Sequence, residues 1–231
     1  MTPRKTTRKK PSRSAGNPEL NLTERAYRIL EEMIVTLKLA PGSVVSEVDL
    51  AKRVGIGRTP IREALHRLAR EHLVTVLPRR GTIVSEISVK GQLRLLEVRR
   101  EMERLVAKSA ARRATPRERE RFLVLARQFE DGAKINDEVS YMRVDREFHE
   151  LLVRAARNEF AVGAMSMMHS LSRRFGYIHY KQAADMPLTA KLHADVARRI
   201  AEGDEAKAGT AMDELLANVT QFTRDTVTKD F

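Results

Sequence analysis

The chain of 231 residues contains no cysteine and no tryptophan, and only 5% of it is aromatic. Without cysteine there is no disulfide framework, no thiolate nucleophile and no cysteine-based zinc site. With so few rings, the cores must be built from Leu, Val, Ile, Met and Ala. No apolar run approaches the ~18 residues that a membrane span needs, and the N-terminus lacks the apolar segment of a signal peptide. These features lead us to expect a cytoplasmic protein with no membrane partner. What the chain does have is charge: 43 Lys and Arg against 31 Asp and Glu, a formal net charge of +12. Six of the bases, with no acid, lie in residues 1–18, so half of the excess sits in a short tail. A clustered positive charge of this kind suits a polyanionic partner.

The tail, MTPRKTTRKKPSRSAGNP, has no apolar periodicity and is expected to be disordered when free. From Thr23, apolar residues recur at helical spacing (Ala26, Ile29, Leu30, Met33, Ile34, Leu37), and Pro41-Gly42 is expected to stop that helix. A short helix is predicted over Glu47 to Val54, ended by Gly55. The stretch GIGRTPIREALHRLAREHLV follows as another. Leu73 to Leu77 and Thr82 to Val84 read as two strands joined by a turn at Pro78-Arg79-Arg80-Gly81. This order predicts a winged helix-turn-helix over 19–86, with Leu50, Val54, Ile56, Ile61, Leu65 and Leu68 in its core. Such a unit leaves the first turn of its third helix free to enter a major groove. From about Ser88 onward the pattern is helical, with breaks at Thr115-Pro116, Asn158, Met186-Pro187 and Gly203-Asp204. The fold class is therefore mainly α: the winged domain, then an antiparallel bundle of about six helices over 87–231, wide enough inside for a ligand.

The string LKLAPGSVVSEVDLAKRVGIGRTPIREALHRLAREHLVTVLPRRGTIV resembles the N-terminal domain of GntR-type bacterial transcription regulators. The Pro41-Gly42 turn, Leu50-Ala51, the core Arg58-Thr59-Pro60-Ile61-Arg62-Glu63-Ala64-Leu65 and the wing glycine Gly81 fall in register over some forty residues. The helical remainder resembles the FadR-type (FCD) effector domain of the same family through its spacing, its Phe148-His149 pair and its helix order. The resemblance implies a homodimer on a palindromic operator in double-stranded DNA, most often as a repressor, controlled by a small organic acid. Family DNA contacts fall on Arg58, Thr59 and Arg62 at the helix start, and on the wing near Arg80 and Gly81. An arginine there can hold guanine O6 and N7 bidentately, worth ~1–3 kcal/mol of discrimination. Gly81 would let the wing approach a minor groove closely. Two departures stand inside the matching stretch. Gly57 replaces a serine, which leaves Thr59 as a substitute cap with Pro60 at the first helical position. His72 replaces a glycine at the helix end, where a left-handed backbone and some strain are expected.

Asp145 and His149, four apart, share one helix face beside the apolar stripe of Tyr141, Val144, Phe148 and Leu152, and His193 borders Leu192, Val196 and Ile200. The resemblance implies that Asp145, His149 and His193 belong to a four-ligand divalent metal site (Zn, Ni or Mn). Its last position, read from Ala211-Met212-Asp213-Glu214-Leu215-Leu216, is Leu215, which cannot ligate. One carboxylate and two imidazoles still form a usable ligand set; a hydrogen-bonded Asp145–His149 pair without metal is the alternative. Arg99 lies on the inward stripe of the first bundle helix and needs an anion. That anion is an effector carboxylate, as in relatives, or else Glu103 or another internal acid. The methionine-rich run Ala164 to His169 reads as adaptable core, and His169 and His179 have no partner assignable from sequence.

Other classes find little to stand on. His149-Glu150 begins like a metalloprotease H-E-x-x-H motif, but the second histidine position is Val153. A metal-dependent hydrolase would have to rely on Asp145, His149 and His193. No P-loop, dinucleotide fingerprint or G-x-S-x-G elbow occurs, so we expect no enzyme. An effector-independent architectural DNA-binding protein is the other alternative.

Overall fold

A computed structural model describes residues 18–77, 81–135, 138–183 and 186–229. The N-terminal unit comprises α1 (Pro18–Val35), β1 (Val44–Val45), α2 (Glu47–Val54), α3 (Arg58–Arg70), β2 (Val74–Leu77) and β3 (Gly81–Val84). Local chemistry sets most of these limits. Ser46 caps α2 by accepting from the Asp49 N–H at 3.1 Å, and Gly55 closes it in the left-handed region at φ 69°. The three strands form an antiparallel sheet in the order β1-β3-β2, with Val44 opposite Ile83 and Val74 opposite Val84. Leu30, Ile34, Leu50, Ile61, Leu65, Leu68, Leu73 and Val84 are buried together beneath it. This is the winged helix-turn-helix expected from the periodicity.

Three local expectations need correction. The first helix ends at Val35 rather than at Pro41-Gly42. Leu37 takes φ 58° and the Leu39 N–H reaches back to the Met33 carbonyl at 3.0 Å, so a left-handed leucine closes the helix before the proline is reached. Thr59 does not cap α3: the cap position is Gly57, which supplies no side-chain bond. Pro60 is consequently the third helical residue, tolerated because the first four N–H groups of a helix lack intrahelical partners anyway. The short strand β1 was not anticipated, since two residues carry no readable alternation.

His72 adopts φ 60° as expected. The Leu73 N–H bonds to the Leu68 carbonyl at 3.0 Å and the His72 N–H to the Ala69 carbonyl at 3.1 Å, the paired bonds of a Schellman end with histidine at the glycine position.

The rest of the chain forms α4 (Val89–Arg113), α5 (Pro116–Ile135), α6 (Glu138–Ala156), α7 (Glu159–Ala183), α8 (Met186–Glu202) and α9 (Glu205–Lys229). The helices begin where the sequence breaks its period. Thr115 and Glu118 exchange bonds in a capping box with Pro116 at the first position of α5. Asp204 accepts from the Lys207 N–H at the start of α9. α5 packs on α8 and α4 on α9. Phe122, Phe129, Phe148, Leu152, Met165, Met168 and Met212 fill the bundle core, so the methionine run is largely core as its composition suggests. Among the described residues no helix is long and apolar enough to cross a membrane.

Candidate nucleic-acid interface and metal centre

The start of α3 is exposed. Arg58, Thr59 and Arg62 all face solvent, and His66 and Arg70 continue the same exposed ridge at four-residue steps. Arg62 is held in place: its Nε donates to Glu47 Oε1 and its Nη2 to Glu47 Oε2, both at 2.9 Å, tying the ridge to the first turn of α2. Those bonds keep the Glu47 carboxyl below its usual range. Arg80 lies outside the described residues. Gly81 has a reason to be glycine within the domain itself, since φ is 96° and an added Cβ would meet the Val45 carbonyl oxygen at 3.1 Å. The sequence reading missed His66 and Arg70, although the four-residue step from Arg58 carries that signal.

In the bundle, Asp145 gathers three imidazoles. Its Oδ1 lies 3.2 Å from His193 Nε2 and 3.4 Å from His149 Nδ1, and its Oδ2 lies 2.9 Å from His169 Nε2. The donor atoms of Asp145, His149 and His169 all fall within 4.8 Å of one another. The expected residues Asp145, His149 and His193 are thus brought together, with His169 added from α7. The missed signal was a histidine at the end of an apolar helical run. His193 is oriented by a bond between its Nδ1 and the Thr189 carbonyl at 2.9 Å, leaving Nε2 turned toward Asp145. His149 Nδ1 lies 2.9 Å from the Asp145 carbonyl, and its buried Nε2, which makes no hydrogen bond among the described residues, faces Glu103 Oε2 at 3.8 Å. A histidine with one nitrogen fixed on a backbone carbonyl and the other turned to a carboxylate, as in His193, has the usual posture of a metal ligand. The residues therefore fit a divalent ion. Ring packing fixes the group further: Phe129 stacks on His193 at 4.9 Å, and His149 on His169 at 3.8 Å.

The charges around this group alternate. Burial alone would raise Glu103, but Arg99 and then His149 outweigh it and hold its pKa at about 2. Burial also opposes a charged His149, yet Asp145 and Glu103 raise it above its usual value. His169 is pushed down to about 3, first by burial and then by the charge of His149, so it is neutral. Asp145, against the pull of burial, is held well below the usual carboxylate range, chiefly by His149. Arg99 Nε donates to Glu103 Oε1 at 2.5 Å, with both side chains buried. Glu103 is thus the partner of Arg99, which also borders a cavity. That cavity, of about 80 Å³, is lined in part by Gln92, Asp145, His169, Arg173 and His193. It is about half the ~150 Å³ that accommodates benzene in an engineered core, so it suits a compact polar guest.

Arg173 reaches from this cavity to the N-terminal domain. Its Nη1 donates to Glu31 Oε1 at 3.2 Å and its Nη2 to Glu32 Oε2 at 3.4 Å, while its buried Nε has no acceptor among the described residues. Arg146 Nη2 donates to Glu31 and Glu32 at 2.6 Å each, and the Ser170 hydroxyl to Glu31 at 3.0 Å. Leu171 packs against the N-terminal core, and Arg174 donates to the Ser85 carbonyl just after the wing. None of these interdomain hydrogen bonds was legible locally, because they join residues 89 to 142 positions apart.

Comparison with known proteins agrees with this architecture. Residues 22–84 match the family described as bacterial regulatory proteins, gntR family, and residues 94–218 match the FCD domain. The HTH-type transcriptional repressor RspR of Escherichia coli is 25% identical over 217 residues, covering 90% of this chain and 91% of its own. The Nta operon transcriptional regulator of Aminobacter aminovorans is 27% identical over 176 residues, 75% of this chain and 80% of its own. Among solved structures, E. coli McbR/YncC superposes with a TM-score of 0.75 at 19% identity, covering 89% of this chain and 98% of its own. A matched winged helix-turn-helix followed by a matched FCD bundle, in one chain, places this protein in the GntR family of bacterial transcription regulators, in its FCD branch.

Proposed function

We propose that this protein is a sequence-specific DNA-binding repressor that acts in the cytoplasm as a homodimer on a palindromic operator. Residues 19–86 read the DNA, residues 87–231 bind an effector and dimerise, and the basic tail of residues 1–18 contacts phosphates. Arg58, Thr59 and Arg62 face base edges and flanking phosphates, and Arg80 and Gly81 belong to the wing contact. The sign of regulation leans on RspR, whose name is that of a repressor.

The effector is a small carboxylate-bearing metabolite in the bundle cavity, where Arg99 and Arg173 supply positive charge. A divalent ion, Zn, Ni or Mn, is held there by Asp145, His149 and His193. When bound, it supplies a localised positive charge for an acid oxygen. The observation that carries effector control is Arg173, which lines the cavity and also clasps Glu31 of α1. Its unpartnered buried Nε is a donor that an entering carboxylate satisfies. An acid that draws Arg173 toward the cavity weakens the clasp on the DNA-reading domain.

The test is fluorescence anisotropy of the full-length protein on a duplex selected from random sequence. Small mono-, di- and tricarboxylic acids are added with and without Zn²⁺, Ni²⁺ or Mn²⁺. An acid-dependent change in operator affinity is expected. Operator binding that no acid alters would leave the effector-independent architectural reading. The hydrolase alternative has only the same three residues in its favour.

A further inference from the structure

We propose that His169, on α7, is a metal ligand that supplies the imidazole Leu215 cannot, so that the ion bridges α6 and α7. The proposal rests on the metal reading given above and assigns a different helix to one of its ligands.

Donor atoms that share an ion at bonds of about 2.0–2.2 Å lie roughly 2.9–3.5 Å apart in neighbouring positions. The separations from the Asp145 carboxylate to His169 Nε2 and His193 Nε2, 2.9 and 3.2 Å, are of that size, whereas the 3.4 Å to His149 is to its Nδ1, the nitrogen already facing the Asp145 carbonyl. His169 makes the shortest of them, and it is His169 rather than His193 whose donor falls within 4.8 Å of both Asp145 and His149. Leu215, on α9, is itself buried, and its aliphatic side chain has no donor atom to offer. With His169 included, the donors are one carboxylate and three imidazoles, a set that borderline ions such as Zn²⁺ and Ni²⁺ favour.

The place of His169 on α7 points the same way. His169 is half-buried, and its ring stacks on His149 at 3.8 Å with Nε2 turned to Asp145. The same helix carries Ser170, Leu171, Arg173 and Arg174, which hold the N-terminal domain. A ligand at position 169 fixes α7 within one turn of those anchors. A ligand at position 215 would instead have tied the ion to α9, which carries none of those anchors. Metal loading is therefore felt directly by the helix that holds the DNA reader.

The experiment uses the full-length protein, stripped with chelator and dialysed, and titrated calorimetrically with Ni²⁺ and with Zn²⁺ alone. His169→Asn should weaken binding by more than the roughly 10–100-fold that loss of even an outer hydrogen-bonding partner costs. Adding Leu215→His to that variant should restore much of the loss, a rescue that a purely structural role for His169 would not give. Circular dichroism of the metal-free variants checks their fold. Should His169→Asn fail to fold, nitrogen NMR of labelled histidines in the wild type replaces it, and a Zn²⁺-induced shift of the His169 Nε2 resonance is expected. Equal affinity of the wild type and His169→Asn, or an unmoved His169 resonance in the loaded protein, overturns the proposal and leaves Asp145, His149 and His193 as the site. Absence of Ni²⁺ and Zn²⁺ binding by the wild type overturns the metal reading itself, and this assignment with it.

Discussion

Replacing Glu103 by glutamine keeps the shape of the side chain and removes its charge, isolating what the carboxylate does inside the bundle. Its side chain is 0% exposed and that of Arg99 6%, with Nε and Oε1 2.5 Å apart. Removing one partner of such a pair leaves a buried guanidinium uncompensated, at a cost of about 3–5 kcal/mol. A second route reaches a similar figure. The Glu103 pKa lies at about 2 against an ordinary 4.5, and at 1.36 kcal/mol per pH unit that difference corresponds to roughly 3 kcal/mol. Glu103→Gln should therefore lose about 3 kcal/mol at pH 7, which for a chain of this size lowers Tm by about 6–12 °C. Because the folded pKa is depressed, the contribution is present above the unfolded value of 4.5 and disappears as pH falls toward 2. The assay is urea unfolding followed by circular dichroism from pH 7 down to pH 3, comparing wild type and variant. Their curves should converge as the pH falls. The double variant Arg99→Met/Glu103→Leu should recover most of the loss, since apolar residues replace a buried pair at little cost. A loss below about 1 kcal/mol at pH 7, or one that does not shrink with acid, would refute the assigned charges.

Three further outcomes are expected. Arg58→Ala should cost about 1–3 kcal/mol on the selected operator, measured by anisotropy, while weak salt-sensitive binding to random DNA persists; an equal loss on random DNA would contradict base readout. His72→Gly should raise stability by about 1 kcal/mol, because glycine meets no Cβ penalty in the left-handed region; a lower Tm would show that the histidine side chain contributes more than its strain costs. Arg173→Met should weaken the clasp on Glu31 by about 1–3 kcal/mol and make the two domains unfold in separate calorimetric transitions. A single unshifted transition would mean that Arg146, Ser170 and Leu171 hold α1 without it.

Much of the fold was legible because its signals are local. The helix starts at Ser46, Ser88, Thr115 and Asp204 each place a polar acceptor or a proline where the apolar period breaks. The left-handed His72 could be anticipated because a helix end that normally takes glycine imposes its backbone on any replacement. The early end of α1 was hidden, since Leu37 continues the apolar spacing while its backbone has already turned. The candidate site was legible in part for the same physical reason. Asp145 and His149 share a face by their four-residue spacing, but His169 lies on another helix, and only the packing of α7 against α6 brings it to the carboxylate. Its own run of methionines reads as core, which is also true, and that masks the single polar residue at its end. The clasp of Glu31 by Arg173 depends on how two separately legible domains dock, which no local pattern encodes.

The geometry of α7 explains why Arg173, among its neighbours, reaches both partners. Successive residues of a helix turn by about 100°. Placing His169 at zero puts Ser172, Arg173 and Gly176 within about 60° of it, and all of them line the cavity. Ser170, Leu171 and Arg174 fall between about 100° and 200°, and all of them touch the N-terminal domain or the Ser85 carbonyl that follows it. Arg173, at about 40°, stands at the seam between the two arcs, and a guanidinium is long enough to serve either side. Any guest that recruits it must take it from Glu31, whose own burial makes an unpaired carboxylate costly. Arg146 is then the counterweight, since it bonds Glu31 and Glu32 without lining the cavity. Under the proposed control by a carboxylate, its strength would therefore be set by how much of the Glu31 charge Arg146 and Ser170 can satisfy without Arg173.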